Sequence, residues 1–417
     1  MSKERSPFSP GKPVSPGLFM GRQEQVKLID RAIRQAVAGS PQYLFITGER
    51  GIGKSSLASF SLELARREYG FVGAHALLGS ANNLEEACRR IYESLVGQMS
   101  DKSLLDKARE VFKRYISKVD LFGIGVEFKD DDQTRAGLTE NFLPLLAQAV
   151  AAFREEGAKG IMLIADDLNG VTADPRFARF LKSTVDQIAV GPMRELPWVL
   201  VLVGVPERMD DLKARQPSVD RIFQPIELSL LSPGAARGFY ERAFRSVDHD
   251  WEDEAISLMA RVVGGFPVMW HELGDAVFWE DQDEKVSLGD VTTGIVAAAD
   301  SVGRKYLKRP LYDELRSPVY RNILRFLAGR IGKATFGKPV GIRRVDALAQ
   351  LPTKEAKNFD NFIKKMRKLG VLRLAPGRRG EYQFTNFLFQ FYVFLQSVAG
   401  SRQLENSLLA EGSDGSY

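Results

Sequence analysis

The chain has 417 residues, of which 44% are hydrophobic, with one cysteine and a net charge of +5. That length exceeds one ordinary domain and predicts two or three. A lone Cys88 rules out an intramolecular disulfide, and no apolar run approaches the ~18–20 residues that span a bilayer, so a cytoplasmic protein without membrane contact is expected. The charge is unevenly placed. Residues 321–380 hold 16 Lys/Arg against 3 Asp/Glu, a balance of +13 that leaves −8 for the remainder. Basicity confined to one region is the footprint of a polyanionic partner.

In chain order, residues 1–17 are rich in Ser and Pro and read as a disordered tail rather than a signal peptide. From there to residue 230 strands alternate with helices, the pattern of a parallel α/β sheet. Tyr43–Thr47 reads as a strand, then a Gly-rich turn, then a helix from Lys54 to about Glu68. Phe71–Leu77 is the second strand. Ile161–Ala165 and Val199–Val203 are continuous apolar runs, as strands covered on both faces must be, and Ile226–Leu228 is a fifth. The charged stretch from Asp101 to Gly137, with a short strand-like piece at Leu121–Phe128, reads as an insertion packed on this core. After Ser232 the pattern turns helical, with helices at 233–246, 252–263, 268–279 and 288–307, and Pro310 closes the block. No internal repeat is present.

Gly48-Glu49-Arg50-Gly51-Ile52-Gly53-Lys54-Ser55 matches G-x-x-x-x-G-K-[ST] between a predicted strand and a predicted helix. Gly48, Gly51 and Gly53 let the backbone N–H groups of the loop, through Glu49, Arg50 and Ile52 to Ser56, wrap phosphates at a helix N-terminus. Lys54 supplies a point charge to the β- and γ-phosphates, and the Ser55 hydroxyl is placed to ligate Mg²⁺. Ile161-Met162-Leu163-Ile164-Ala165-Asp166-Asp167 is an apolar strand ending in two carboxylates. Asp166 is expected to hold Mg²⁺ and Asp167 to orient the attacking water of ATP hydrolysis.

Upstream, Leu18-Phe19-Met20-Gly21-Arg22-Gln23-Glu24 resembles the F-x-G-R-x-x-E entry segment of archaeal and STAND-type ATPases and of origin-recognition initiator ATPases. The resemblance runs through motif order from Leu18 to Gln396. It implies an AAA+/STAND P-loop ATPase in which Gly21 and Arg22 lie near the adenine. Three departures bear on the branch. The second acid is Asp167, where initiators carry Glu. The strand Val199–Val203 ends in Gly204-Val205-Pro206-Glu207, with no Asn or Thr at the sensor position, which points to slow turnover. Gly264-Gly265-Phe266-Pro267 resembles the STAND G-x-P motif, which implies that Gly265 and Pro267 reach nucleotide from the lid; a plain helix-entry turn is the other reading. Gly204–Arg208 and Arg221–Leu228 also resemble bacterial transposition and secretion ATPases. There Arg221 would stand as an arginine finger offered to a neighbouring subunit, with an ordinary surface arginine equally open. His249 and His271 lack any metal or triad spacing and read as structural.

In the basic segment, helices are expected at Val319–Ala328, at Ile342–Gln350 and at Thr353–Leu369, the last with Thr353 as N-cap and Gly370 as its end. Phe359, Phe362, Ile363, Met366 and Leu369 form one apolar stripe, and Lys357, Asn361, Lys364 and Lys368 fall opposite. Val371–Leu374 and Glu381–Phe384 make a hairpin whose tip carries Arg378 and Arg379. This is the pattern of a winged helix reading double-stranded DNA with its third helix and its wing. The aromatics from Tyr382 to Tyr392 resemble the closing segment of the archaeal ATPases' winged helix and are expected to pack as core.

The expected architecture is therefore α/β: a P-loop NTPase parallel-sheet core (18–230), a helical lid (231–312), a C-terminal winged-helix domain (313–400) and a disordered tail (401–417). The expected function is an ATP- and Mg²⁺-dependent, slowly hydrolysing switch that binds DNA. A signalling regulator whose winged helix contacts an effector protein, and an ATPase forming homo-oligomers on DNA in transposition or defence, remain open beside it.

Overall fold

Every position of Gly160–Asp166 (β5) and Trp198–Gly204 (β6) is buried, which demands cover on both faces of a strand. Parallel sheets wrapped by helices meet that demand. The computed structural model describes residues 5–384 apart from 98, 100, 120–125, 191–196, 307–316, 332–340, 370, 376, 377 and 379. It divides into one unit from Ser15 to Ser229 and another made of residues 5–14 and those from 230 onward. Among the described residues no helix is long and apolar enough to cross a membrane.

In the first unit, β5 and β6 join β1 (Gln42–Gly48), β2 (Phe71–Leu77) and β7 (Gln224–Leu228) in a parallel sheet of order β2-β5-β6-β1-β7. All five expected strands are present. Pro225 lacks the N–H a ladder needs, and it sits in β7, an edge strand, where that loss is tolerated. The register pairs Thr47 with Gly204 and Val203 with Asp166. The ends of β1, β6 and β5 therefore lie side by side, at the edge where open α/β sheets bind ligands.

Helices α1 (Gln23–Val37) and α2 (Lys54–Tyr69) follow the entry segment and the P-loop, and α2 packs against β2, β5 and β6. Between β2 and β5 run α3 (Leu84–Gly97), α4 (Lys102–Phe112), a hairpin of β3 (Ile116–Val119) with β4 (Val126–Phe128), α5 (Asp132–Glu140) and α6 (Phe142–Glu155). Phe112 and Phe128 of this insertion enter the same apolar core as Phe45 and Ile161. Of the expected strand at Leu121–Phe128, only Val126–Phe128 is seen, because 120–125 lie outside the described residues. The unit closes with α7 (Pro175–Val190), α8 (Pro206–Arg215) and the four-residue α9 (Val219–Ile222).

The second unit contains α10 (Pro233–Arg245), α11 (Asp253–Val263), α12 (Pro267–Glu280) and α13 (Leu288–Tyr306), with β8 (Asp250–Trp251) and β9 (Lys285–Val286) paired between them. These helices match the four expected. The N-terminal segment departs from the expected tail. Phe8 is 5% exposed, its ring 5.3 Å from that of Phe244 and 5.8 Å from that of Phe239. The Ser9 N–H donates to His271 Nδ1 at 3.0 Å. A single aromatic among Ser and Pro residues is enough to dock a short segment when a fitted socket exists.

The basic module follows with α14 (Pro318–Ile331), β10 (Ile342–Arg343), α15 (Arg344–Gln350), α16 (Thr353–Lys368), β11 (Leu372–Leu374) and β12 (Glu381–Phe384). The strands form an antiparallel sheet of order β10-β12-β11. Two boundaries differ from expectation. Ile342 and Arg343 are strand, not helix, because they pair with Tyr382 and Glu381. Thr353 is the first helical residue rather than the cap; Pro352 occupies the cap position, and no side-chain cap bond forms. Phe359, Phe362, Ile363 and Met366 are buried as the stripe requires. Pro310, Gly370, Arg379, the aromatics from 385 to 392 and the tail after 401 lie outside the described residues.

Candidate functional site

At the end of β1 the chain turns through the P-loop into α2. Gly53 takes φ +95°, a left-handed conformation that side chains resist, immediately before Lys54 opens the helix. The first N–H groups of α2 have no intrahelical acceptor and face outward from the helix end, where its dipole favours an anion. Lys54 Nζ donates to Gly48 O at 2.9 Å and to Glu49 O at 2.8 Å. Burial lowers the Lys54 pKa to about 8, against the opposing pull of Asp166 and Asp167. A desolvated ammonium in such a loop is under-compensated, and a phosphate would supply what it lacks.

Asp166 ends β5 and is 3% exposed. Its Oδ1 accepts the Asp167 N–H at 2.7 Å, and its Oδ2 lies 2.8 Å from His75 Nε2. Asp167 has φ +60°, which Asp tolerates better than most residues but at some strain. Its carboxylate lies over Gly79 and accepts from Asn169 Nδ2. Ser55 and Asp166 offer hard oxygen donors, the chemistry Mg²⁺ prefers. Among the described residues no cluster of three or more His, Cys, Asp or Glu could cage a metal by itself. Two such oxygens could share a cation with substrate phosphates, as Mg²⁺ sites commonly do.

Residues 18–195 match the family model described as AAA ATPase domain. Two solved structures share its fold and extend the likeness along the chain. The ORC2 protein of Aeropyrum pernix, solved as ADPNP–ADP complexes, is 13% identical over 99% of this chain and 99% of its own, with a TM-score of 0.55. A Walker-type ATPase of Pyrococcus abyssi is 16% identical over 90% of this chain and 96% of its own, with a TM-score of 0.52. At such identities the likeness is one of fold, that of a P-loop NTPase. No curated protein matches the sequence.

Within the matched stretch, Arg22 is held by two backbone carbonyls. The residue is 5% exposed, and its guanidinium donates to Ile52 O in the P-loop at 2.9 Å and to Ser229 O at 2.7 Å. Burial lowers its pKa to about 10. The side chain thus ties the entry segment to the back of the P-loop. Arg22→Ala is expected to cost roughly 2–4 kcal/mol, since it removes two charge-assisted bonds and strands two carbonyls. Arg22→Lys should not restore the loss, because the two acceptors are met by separate guanidinium nitrogens whose planar, spread geometry a single ammonium lacks. Thermal melting of the three proteins checks this.

Two residues beside the P-loop and Asp166 had no role assigned from the sequence. His75 is the polar interruption of an otherwise apolar β2. Glu207 follows Gly204 by three residues and lies near enough to Lys54 to oppose the lowering of its pKa. Gly204 itself ends β6 between the P-loop strand and the Asp166 strand, without a side chain to offer. Arg208 beyond it pairs with Asp211 at 2.7 Å.

The remaining sequence candidates are placed as follows. Gly21 has φ +74° in the turn before α1. Arg221 is exposed on α9. Pro267 is the first residue of α12, where its missing N–H costs nothing. A side chain at Gly265 would collide with the Leu231 backbone, so this glycine serves close packing within its own unit. On α16, Lys357, Asn361, Lys364 and Lys368 are all exposed. Arg378 is 71% exposed and lies 3.3 Å from Glu381.

Proposed function

We propose that the chain is an ATP-binding, slowly hydrolysing switch whose nucleotide state governs engagement of double-stranded DNA by the C-terminal module. In this proposal Gly48 to Ser56 cradle the phosphates, Lys54 neutralises them, and Ser55 and Asp166 hold Mg²⁺. The bound cation would neutralise charge developing on the phosphoryl oxygens. Asp167 orients the attacking water, Gly21 and Arg22 flank the adenine side, and Pro267 closes from the lid. Arg221 would serve a neighbouring copy if ATP drives oligomers. The module acts as a winged helix, with Lys357, Lys364, Lys368, Arg378 and Arg379 on phosphates and Asn361 on a base edge.

The observation that carries the DNA half is the division of α16 into a buried stripe and an exposed cationic face. The acids nearby do little to cancel that face. Glu355 is buried and accepts from Asn322 Nδ2 at 2.8 Å. Asp360 is held by the two-pronged Arg344 at 2.7 Å. One observation favours a protein-contacting regulator instead: Val345 is 71% exposed and Leu374 46% exposed on the same module.

Turnover at or below about 1 s⁻¹ is expected, because Gly204 provides no polar group to the attacking water. Asp167→Asn should keep ATP affinity while stopping phosphate release, since only the water-orienting carboxylate is lost. Normal turnover by that variant would remove Asp167 from the role and leave Glu207 as the next acid to test.

A further inference from the structure

We infer that His75 is a positioning residue that fixes the Asp166 carboxylate for its cation, an inference that rests on the nucleotide reading above. The two side chains meet diagonally across the sheet. His75 is in register with Ile164, and Leu77 with Asp166, so residues two positions apart on neighbouring strands face the same side. The His75 side chain is 12% exposed and that of Asp166 4%, so water competes weakly for either group. The Asp167 N–H takes Asp166 Oδ1 at 2.7 Å, and His75 Nε2 lies 2.8 Å from Oδ2. With both oxygens engaged, turning the carboxylate about its last bond would break two hydrogen bonds at once. Each oxygen still keeps a lone pair for a ligand.

An apolar residue would pack at this position of β2 without the cost of burying a ring that needs polar partners. The imidazole is matched instead to one specific carboxylate oxygen. Partners that hydrogen-bond a metal-ligating carboxylate set its orientation, and losing one typically weakens the metal by about 10–100-fold. A plain inter-strand contact would have no such selective effect on the cation.

The test is an electron paramagnetic resonance titration of Mn²⁺ into the full chain saturated with ATP, beside ATP affinity measured in EDTA. His75→Ala is expected to weaken Mn²⁺ by about 10–100-fold, while metal-free ATP affinity stays near wild type. His75→Gln, whose amide Nε2 can reach the same oxygen, should recover most of the loss. Unchanged Mn²⁺ affinity in His75→Ala overturns the inference. So does a parallel loss of Mn²⁺ and metal-free ATP binding that glutamine fails to rescue, because that pattern belongs to a structural residue. A wild-type chain that binds no ATP overturns the nucleotide reading itself and this inference with it.

Discussion

Lys54→Ala is expected to abolish measurable ATP binding by calorimetry. The ammonium is half-buried against two loop carbonyls, and its lowered pKa reflects desolvation that Asp166 and Asp167 only partly offset. The triphosphate supplies the missing negative charge, in surroundings where it is poorly screened. Removing one member of such a desolvated charge pair costs about 2–5 kcal/mol, or roughly 30- to 4,000-fold in affinity. Lys54→Arg should restore little, because the guanidinium is a broad planar fork and the loop accommodates a compact point charge. ATP binding at wild-type strength in Lys54→Ala would place the nucleotide elsewhere.

The second large effect concerns the N-terminal segment. Phe8→Ala should destabilise the second unit by roughly 3–5 kcal/mol, the usual range for emptying a buried aromatic site. The socket of Phe239, Tyr240 and Phe244 lies within 6.1 Å of the ring centroid, and Gly274 leaves room where a side chain would strike the ring. Gly274→Ala should therefore mimic the loss from the other side. Three of the four tryptophans (Trp251, Trp270 and Trp279) belong to this unit, so urea unfolding followed by their fluorescence reports on it. A Phe8→Ala curve that overlays wild type would mean the segment is not docked in solution.

The same contact carries a pH dependence with a definite sign. Burial lowers the His271 pKa to about 4, and its Nδ1 must stay unprotonated to accept the Ser9 N–H. The unfolded chain takes up a proton near the ordinary histidine value of ~6.5, where the folded one does not. This contribution is complete above about pH 6.5 and is lost as pH falls toward 4, a change of roughly 3 kcal/mol. His271→Asn should flatten that part of the acid limb in the unfolding curves.

What the sequence made legible was whatever repeats or clusters locally. β5 and β6 are unbroken apolar runs, the P-loop is contiguous, and the α16 stripe recurs over a full helix, so each could be read without knowing its neighbours. The missed features are set by distant partners. Phe8 has no periodicity around it, and its socket lies more than 230 residues away. Arg22 was legible in its motif, but its carbonyl partners at Ile52 and Ser229 were not. His75 gains meaning only beside Asp166, 91 residues on. A two-residue strand such as Ile342–Arg343 carries no pattern at all and exists because Glu381 and Tyr382 pair with it.

Fluorescence anisotropy of a labelled mixed-sequence duplex tests the proposed switch most directly. The full chain would be titrated at several salt concentrations between 50 and 200 mM, once with ATP and once with ADP. Each phosphate contact adds about 0.9 to the slope of log affinity against log salt. Three or four contacts from Lys357, Lys364, Lys368 and Arg378 thus predict a slope near −3. The affinity should also differ between the two nucleotides. Binding that is absent at 50 mM salt, or flat in salt and equal with ATP and ADP, would contradict a nucleotide-governed DNA switch.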